Sequence, residues 1–127
     1  MRILGIDPGS QVTGYGIIDA GDSTPQAVHY GTLRPRRGDA LPDRLLFLYN
    51  GLHALLAEHE PDLVVLETAF YHKNARSTLV LGQVRGALMV CARASTCEVA
   101  ELTPREVKMG VTGAGGASKE QVQFMVR

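Results

Sequence analysis

The sequence predicts an α/β domain organised on a five-stranded mixed sheet, a three-strand antiparallel meander followed by parallel strands, with helices alongside. Three observations predict it. Two short apolar runs, Ile3 to Ile6 and Leu63 to Leu66, each stop at a carboxylate, Asp7 and Glu67. Strand-like segments joined by short polar turns follow the first run, as an antiparallel meander requires. Leucines at helical spacing then precede the second run, whose four consecutive apolar residues suit a strand buried on both faces.

In chain order, Arg2 to Asp7 is the first strand, and Pro8-Gly9 turns the chain at once. Asp7 therefore sits at the end of a buried strand, where a carboxylate either caps the Pro8-Gly9-Ser10 turn or meets a cation. Thr13 to Asp19 and Ala27 to Leu33 are the next strands, separated by a turn containing Gly21, Asp22 and Pro25. Arg34-Pro35-Arg36-Arg37-Gly38 is a basic loop with no assigned role. Pro42 can open a helix, and Leu45, Leu46, Leu48, Tyr49, Leu52, Leu55 and Leu56 carry its apolar stripe to about Glu58, before Glu60-Pro61 ends it.

Asp62 to Thr68 is the fourth strand, and Asn74 can cap a helix running to about Ala94. Between Leu79 and Ala92 only Gln83 and Arg85 are strongly polar, so this helix needs cover on two sides, the sheet on one and another subunit on the other. Gly82 and Gly86 fit close approach of a second chain or close packing on the sheet equally well. Cys97 to Leu102 is the fifth strand. Thr103-Pro104-Arg105-Glu106 is a capping box opening a short helix through Met109. After the Gly-rich stretch 112–117, Ser118 and Gln121 open a further helix, whose Val122, Met125 and Val126 call for a continuation to cover them.

Composition excludes several classes. At 127 residues, 45% apolar and 20% charged, the chain is an ordinary globular domain, expected to be single over 1–127. No apolar run approaches a membrane span and no secretory pattern is present, so a cytoplasmic protein is expected. Cys91 and Cys97 lack metal-ligand spacing and are expected to be buried thiols. The formal net charge is +0, but residues 1–67 carry five Arg/Lys against nine Asp/Glu and residues 68–127 carry eight against four. A basic second half points weakly to a polyanion.

A right-handed crossover through helix 42–58 sets strand 62–68 parallel to, and beside, strand 2–7. Strand order reverses there, and ligands bind at the carboxyl ends of strands around such a point. Ile3, Gly5 and Asp7 share one strand face, as do Leu63, Val65 and Glu67. Two carboxylates ~4 Å apart repel by roughly 4 kcal/mol at an effective dielectric of ~20, so they share a proton or bind a cation. Mg²⁺ with phosphate as a further ligand resolves the repulsion, and two such ions would serve an in-line phosphodiester displacement.

The segments 5–18 (GIDPGSQVTGYGII), 66–87 (LETAFYHKNARSTLVLGQVRGA) and 104–127 (PREVKMGVTGAGGASKEQVQFMVR) resemble the RuvC family of Holliday junction resolvases, which have a ribonuclease H-like fold. The resemblance implies a homodimer that nicks four-way DNA junctions symmetrically in a Mg²⁺-dependent reaction, with Mn²⁺ as a possible substitute, during recombination and repair. It implies cooperation with the RuvA–RuvB branch migration complex. It assigns Asp7 and Glu67 as metal ligands, Phe70 to base stacking, and Lys108 and Lys119 to the scissile phosphate.

Read from the residues alone, Phe70 fits the core as well as a base stack, and the two lysines fit solvent as well as phosphate. Lys73, Asn74 and Arg76 bracket a helix start and could meet DNA backbone, although Asn74 fits a simple N-cap. The family completes its catalytic set with acids on a last helix, and no aspartate follows Asp62 here, so either the chain is shortened and lacks that helix, which the open apolar stripe at 122–126 favours, or the polypeptide is itself inactive. Two other readings stand beside the nuclease: a junction-binding module without cleavage, and a fragment of an actin-like ATPase, which shares the Asp-x-Gly turn. The second needs another phosphate loop, and Gly113 to Lys119 departs from the P-loop pattern at Ser118 and Glu120.

Overall fold

The structure is a computed structural model that describes residues 1–21, 24–67 and 74–102. Its elements are β1 (Arg2–Asp7), β2 (Thr13–Asp19), β3 (Gln26–Leu33), α1 (Leu41–His59), β4 (Leu63–Glu67), α2 (Ala75–Ala94) and β5 (Glu98–Leu102). The expected elements are all present within this range, with ends shifted by one residue at several places. The capping box at 103–106 and the helix opening at 118 lie outside the described residues.

The five strands order as β3-β2-β1-β4-β5. β1, β2 and β3 form the antiparallel meander, and β4 pairs parallel to β1 from Ile3↔Leu63 to Ile6↔Leu66. β5 pairs parallel to β4. The switch in strand order between β2 and β4 thus falls on β1, as the crossover rule predicts.

The far end of β1 from Asp7 is pinned by backbone and side chain together. Asp62 accepts from the Arg2 amide at 2.7 Å and its own amide donates to the Arg2 carbonyl at 2.8 Å, while the Arg2 guanidinium pairs with Asp19 at 2.8 Å.

One sheet face carries both helices. Leu4, Ile6, Tyr15, Ile17, Val64 and Leu66 pack against Leu48, Leu52, Leu55 and Leu56 of α1 and against Val84, Leu88 and Cys91 of α2. Pro42 lies in the first turn of α1, and Glu60, left-handed at φ 48°, closes the helix by donating its amide to the Leu56 carbonyl at 3.0 Å. The opposite face holds a small cluster, Ile18 and Val65 with Ile3, Leu63 and Leu102 beside them. Strand parity puts Asp7 and Glu67 on that second face.

Cys91 and Cys97 are buried and free. Burial, with a smaller repulsion from Cys97, pushes the Cys91 thiol up to about 11, which makes it a poor nucleophile. On α2, Leu79 and Val90 are 65% and 62% exposed, and a Cβ added at Gly82 or Gly86 meets nothing within 4 Å. The two glycines are therefore not packing the helix onto the sheet. Among the described residues no helix is long and apolar enough to cross a membrane.

Candidate active site

β1 ends where Pro8 removes an amide donor and the chain folds back on itself. Thr13, 1% exposed, clamps the turn: its hydroxyl accepts from the Gly9 amide at 3.2 Å and donates to the Gly9 carbonyl at 2.9 Å. A Cβ on Gly9 would stand 2.1 Å from the Val12 carbonyl oxygen, so only glycine fits this turn. The Gly9 amide and carbonyl are both taken by Thr13, and the Ser10 carbonyl accepts from Arg44 of α1. Among the described residues no backbone amide bonds to Asp7, and the capping alternative for this carboxylate falls away.

One register step beyond Ile6↔Leu66, Asp7 and Glu67 stand side by side at the carboxyl ends of β1 and β4. Their carboxyls are in hydrogen-bonding reach. Burial first, then the charge of Asp7, then that hydrogen bond push Glu67 up to about 7. Burial also raises Asp7, while the bond from Glu67 offsets part of the rise. The pair thus retains a proton near neutrality unless a cation replaces it.

A hard divalent cation fits this donor set: two oxygen-bearing side chains, mutually repulsive, at an open sheet end. No group of three or more His, Cys, Asp or Glu is assembled among the described residues, so the pair there supplies only part of a coordination sphere.

Glu67 is also held from behind. The buried Arg85 of α2 donates from Nε to the Glu67 carbonyl at 3.3 Å and from Nη2 to Glu101 on β5. Glu101 pairs in register with Leu66, so its side chain rises on the helix-bearing face. Its carboxylate is engaged by Arg85 and lies across the sheet from the Asp7–Glu67 pair.

The other expected site residues divide. Asn74 accepts from the Ser77 amide at 2.7 Å and caps α2, so its side-chain oxygen is committed to the helix. Asn74→Ala should therefore cost about 1 kcal/mol in urea unfolding, and an unchanged midpoint would show the cap to be idle. Arg76 is exposed and lines a cleft with Pro8, Gly9, Ser10, Arg44 and Ser77, next to the turn after Asp7. Phe70, Lys73, Lys108 and Lys119 lie outside the described residues. Thr13 and Arg85 were not foreseen as site residues. Arg85 had a signal, as a lone cation on an otherwise apolar helix face; Thr13 had none, because a threonine in a strand is ordinary.

The raised Glu67 carboxyl has a stability consequence. Its folded value, about 7, exceeds its ordinary 4.5, so the native state keeps a proton that the unfolded chain releases between those values. Stability from this group is greatest at the acidic end of that window and falls as pH rises through it. Metal-free Glu67→Gln should match the parent near pH 5 and exceed it at pH 8 by about 1–2 kcal/mol, after solvent screening at the open sheet end. Urea melts at the two pH values check this, and an equal difference at both would mean that the fold does not raise the Glu67 carboxyl.

A carboxylate pair at the ends of adjacent parallel strands, on a sheet ordered β3-β2-β1-β4-β5, defines a ribonuclease H-like domain with a candidate metal-dependent hydrolytic centre. Comparison with known proteins narrows the class. The family profile described as crossover junction endodeoxyribonuclease RuvC matches residues 3–127. The chain belongs to the RuvC family of crossover junction endodeoxyribonucleases, nucleases that hydrolyse phosphodiester bonds.

The crossover junction endodeoxyribonuclease RuvC of Acidobacterium capsulatum is 46% identical over 133 residues, covering 99% of this chain and 78% of the relative. That of Halorhodospira halophila is 48% identical over 126 residues, covering 99% and 75%. The solved structure of T. thermophilus RuvC in complex with Holliday junction substrate superposes with a TM-score of 0.82 at 26% identity, covering 100% of this chain and 78% of that one.

Proposed function

We propose that this chain resolves four-way DNA junctions, with Asp7 and Glu67 as its first metal ligands and Mg²⁺, one or two ions per site, as the cofactor. The paired carboxyls carry the reading, because two half-buried acids that each raise the cost of ionising the other are suited to a cation at the carboxyl end of the sheet. The solved T. thermophilus relative bound to a Holliday junction supports the choice of substrate.

When bound, the cation would polarise the scissile phosphate and help ionise an attacking water. Asp7 and Glu67 would hold it through their carboxylate oxygens, and Arg85 keeps the Glu67 backbone in register. Phe70 stacks on a base at the opened junction, worth roughly 1–3 kcal/mol, and Lys108 and Lys119 meet the phosphate being cut. Lys73, Asn74 and Arg76 lie along the DNA backbone, with Asn74 contributing through the helix end that it caps.

The functional unit is a homodimer in the cytoplasm, working with the RuvA–RuvB complex. The exposed Leu79 and Val90 of α2, with the open Gly82 and Gly86 between them, suit the pairing of two copies. A labelled four-way junction, a linear duplex and ATP, each incubated with the protein and Mg²⁺, test the reading. Paired symmetric nicks in the junction alone are expected, from this chain or from a form extended through the family's last helix. Binding without nicking would favour a recognition module, and ATP turnover would overturn the nuclease.

A further inference from the structure

The basic loop between β3 and α1 has no role in the site described so far, and folding places it at the same sheet end as the acids. Register runs Asp7↔Gly14↔Thr32, so Arg34, two residues past Thr32, leaves the sheet at the Asp7 end. With strands about 4.8 Å apart, β3 is displaced from β1 by about 10 Å, the rise of roughly three phosphates along one DNA strand.

There Arg34, Arg36, Arg37 and Arg44 line a cleft of about 500 Å³. Asp39 is the one acidic side chain in its lining, paired with Arg36 at 3.1 Å. Arg34 and Arg37 are exposed and have no carboxylate partner among the described residues. The loop is shaped rather than loose: Gly38 takes φ 86° and the Asp39 amide donates to the Arg36 carbonyl at 3.2 Å. Arg44 is fixed by donating Nε and Nη2 to the Ser10 carbonyl at 3.2 and 2.9 Å.

Arg44 also lines the cleft of about 290 Å³ that holds Arg76 and the Pro8-Gly9-Ser10 turn. Arg44 thus lines both clefts, which together carry five arginines beside the turn that follows Asp7. Acidic Asp19, Glu58, Glu60 and Asp62 lie at the opposite end of the sheet, where Arg2 and Arg93 are the basic side chains among the described residues. The Asp7 end also carries Asp7, Glu67, Glu101, Asp39 and Asp43, but Arg85 engages Glu101 and Arg36 engages Asp39, so the loop and Arg44 make a local cationic patch beside the candidate active site. Like charges gathered in one cleft repel unless a polyanion lies among them, and the planar guanidinium fork matches phosphate oxygens two at a time.

We infer that the Arg34–Arg37 loop and Arg44 form a phosphate track that grips the sugar-phosphate backbone of one duplex arm, a few nucleotides from the cut. This rests on the junction-nuclease reading and adds to it a surface that holds the arm independently of base sequence. Backbone contacts of this kind position DNA without reading it, so the track serves a linear duplex and a junction arm alike.

The test is the salt dependence of binding by the protein and its Arg34→Ala/Arg37→Ala variant, to junction and to linear duplex, with Ca²⁺ replacing Mg²⁺. Loss of two phosphate contacts should weaken both complexes about tenfold and flatten log K against log salt by about 1.8. With Mg²⁺ the loss should fall on KM rather than kcat, and Arg34→Lys/Arg37→Lys should keep the parent's salt slope. Thermal melting checks that the variants fold. Unchanged affinity and slope in a folded variant, or a loss confined to kcat, overturns the track while leaving the nuclease intact. Failure of the parent to bind either DNA overturns the track, whereas binding without nicking overturns the nuclease reading and leaves the track standing.

Discussion

Asp7→Asn and Glu67→Gln should each lower the rate of junction nicking by about 10³-fold or more while leaving junction affinity within a factor of a few. Electrostatic groups acting on the transition state are worth that much, whereas binding rests mainly on phosphate contacts elsewhere. Each substitution keeps shape and removes one charge from the Asp7–Glu67 pair. Metal-free Glu67→Gln should at the same time be the more stable protein at pH 8, so a lost activity cannot be blamed on a lost fold. Adding Mg²⁺ should reverse the order of stability, since only the parent retains both ligands. Parallel loss of nicking and of junction binding in both variants would make these acids structural.

Arg85→Ala should destabilise the domain by about 3 kcal/mol, a fall in melting temperature on the order of 10 °C. The guanidinium is 8% exposed and joins three elements: α2, the carbonyl at the end of β4, and Glu101 on β5. Its removal leaves a carbonyl without that donor and an acid without its cation. Glu101→Gln should cost much less, because that side chain is 45% exposed and water can replace the lost charge pairing. Equal effects from the two substitutions would show that the ion pair, rather than the hold on Glu67, is what Arg85 contributes.

The topology was legible because each of its determinants is local. An apolar run that ends in Asp7 beside Pro8-Gly9, a leucine stripe of helical period, and a second apolar run ending in Glu67 leave one right-handed arrangement, and β1 and β4 pair as it requires. Asn74 and the Glu60-Pro61 stop were equally readable, since caps are written in one or two residues.

Contacts across the fold were not. Thr13 reads as a strand residue until its hydroxyl is seen closing the Gly9 turn, and the partners of Arg85 lie 16 and 18 residues away on other strands. Charge was the most misleading signal. Counted by halves, residues 1–67 are acidic, yet four of their five basic side chains gather in one cleft. Linear bookkeeping cannot see this, because strand reversal sends the loop at 34–37 and the acids at 58–62 to opposite ends of the sheet.

The parallel pairing of β1 with β4 also bears on the protein's synthesis. Asp7 and Glu67 are separated by a long crossover, and such contacts form late because the intervening chain must first close. No nascent polypeptide shorter than the end of β4 carries both acids, so the pair cannot assemble until β4 has been made and has closed onto β1.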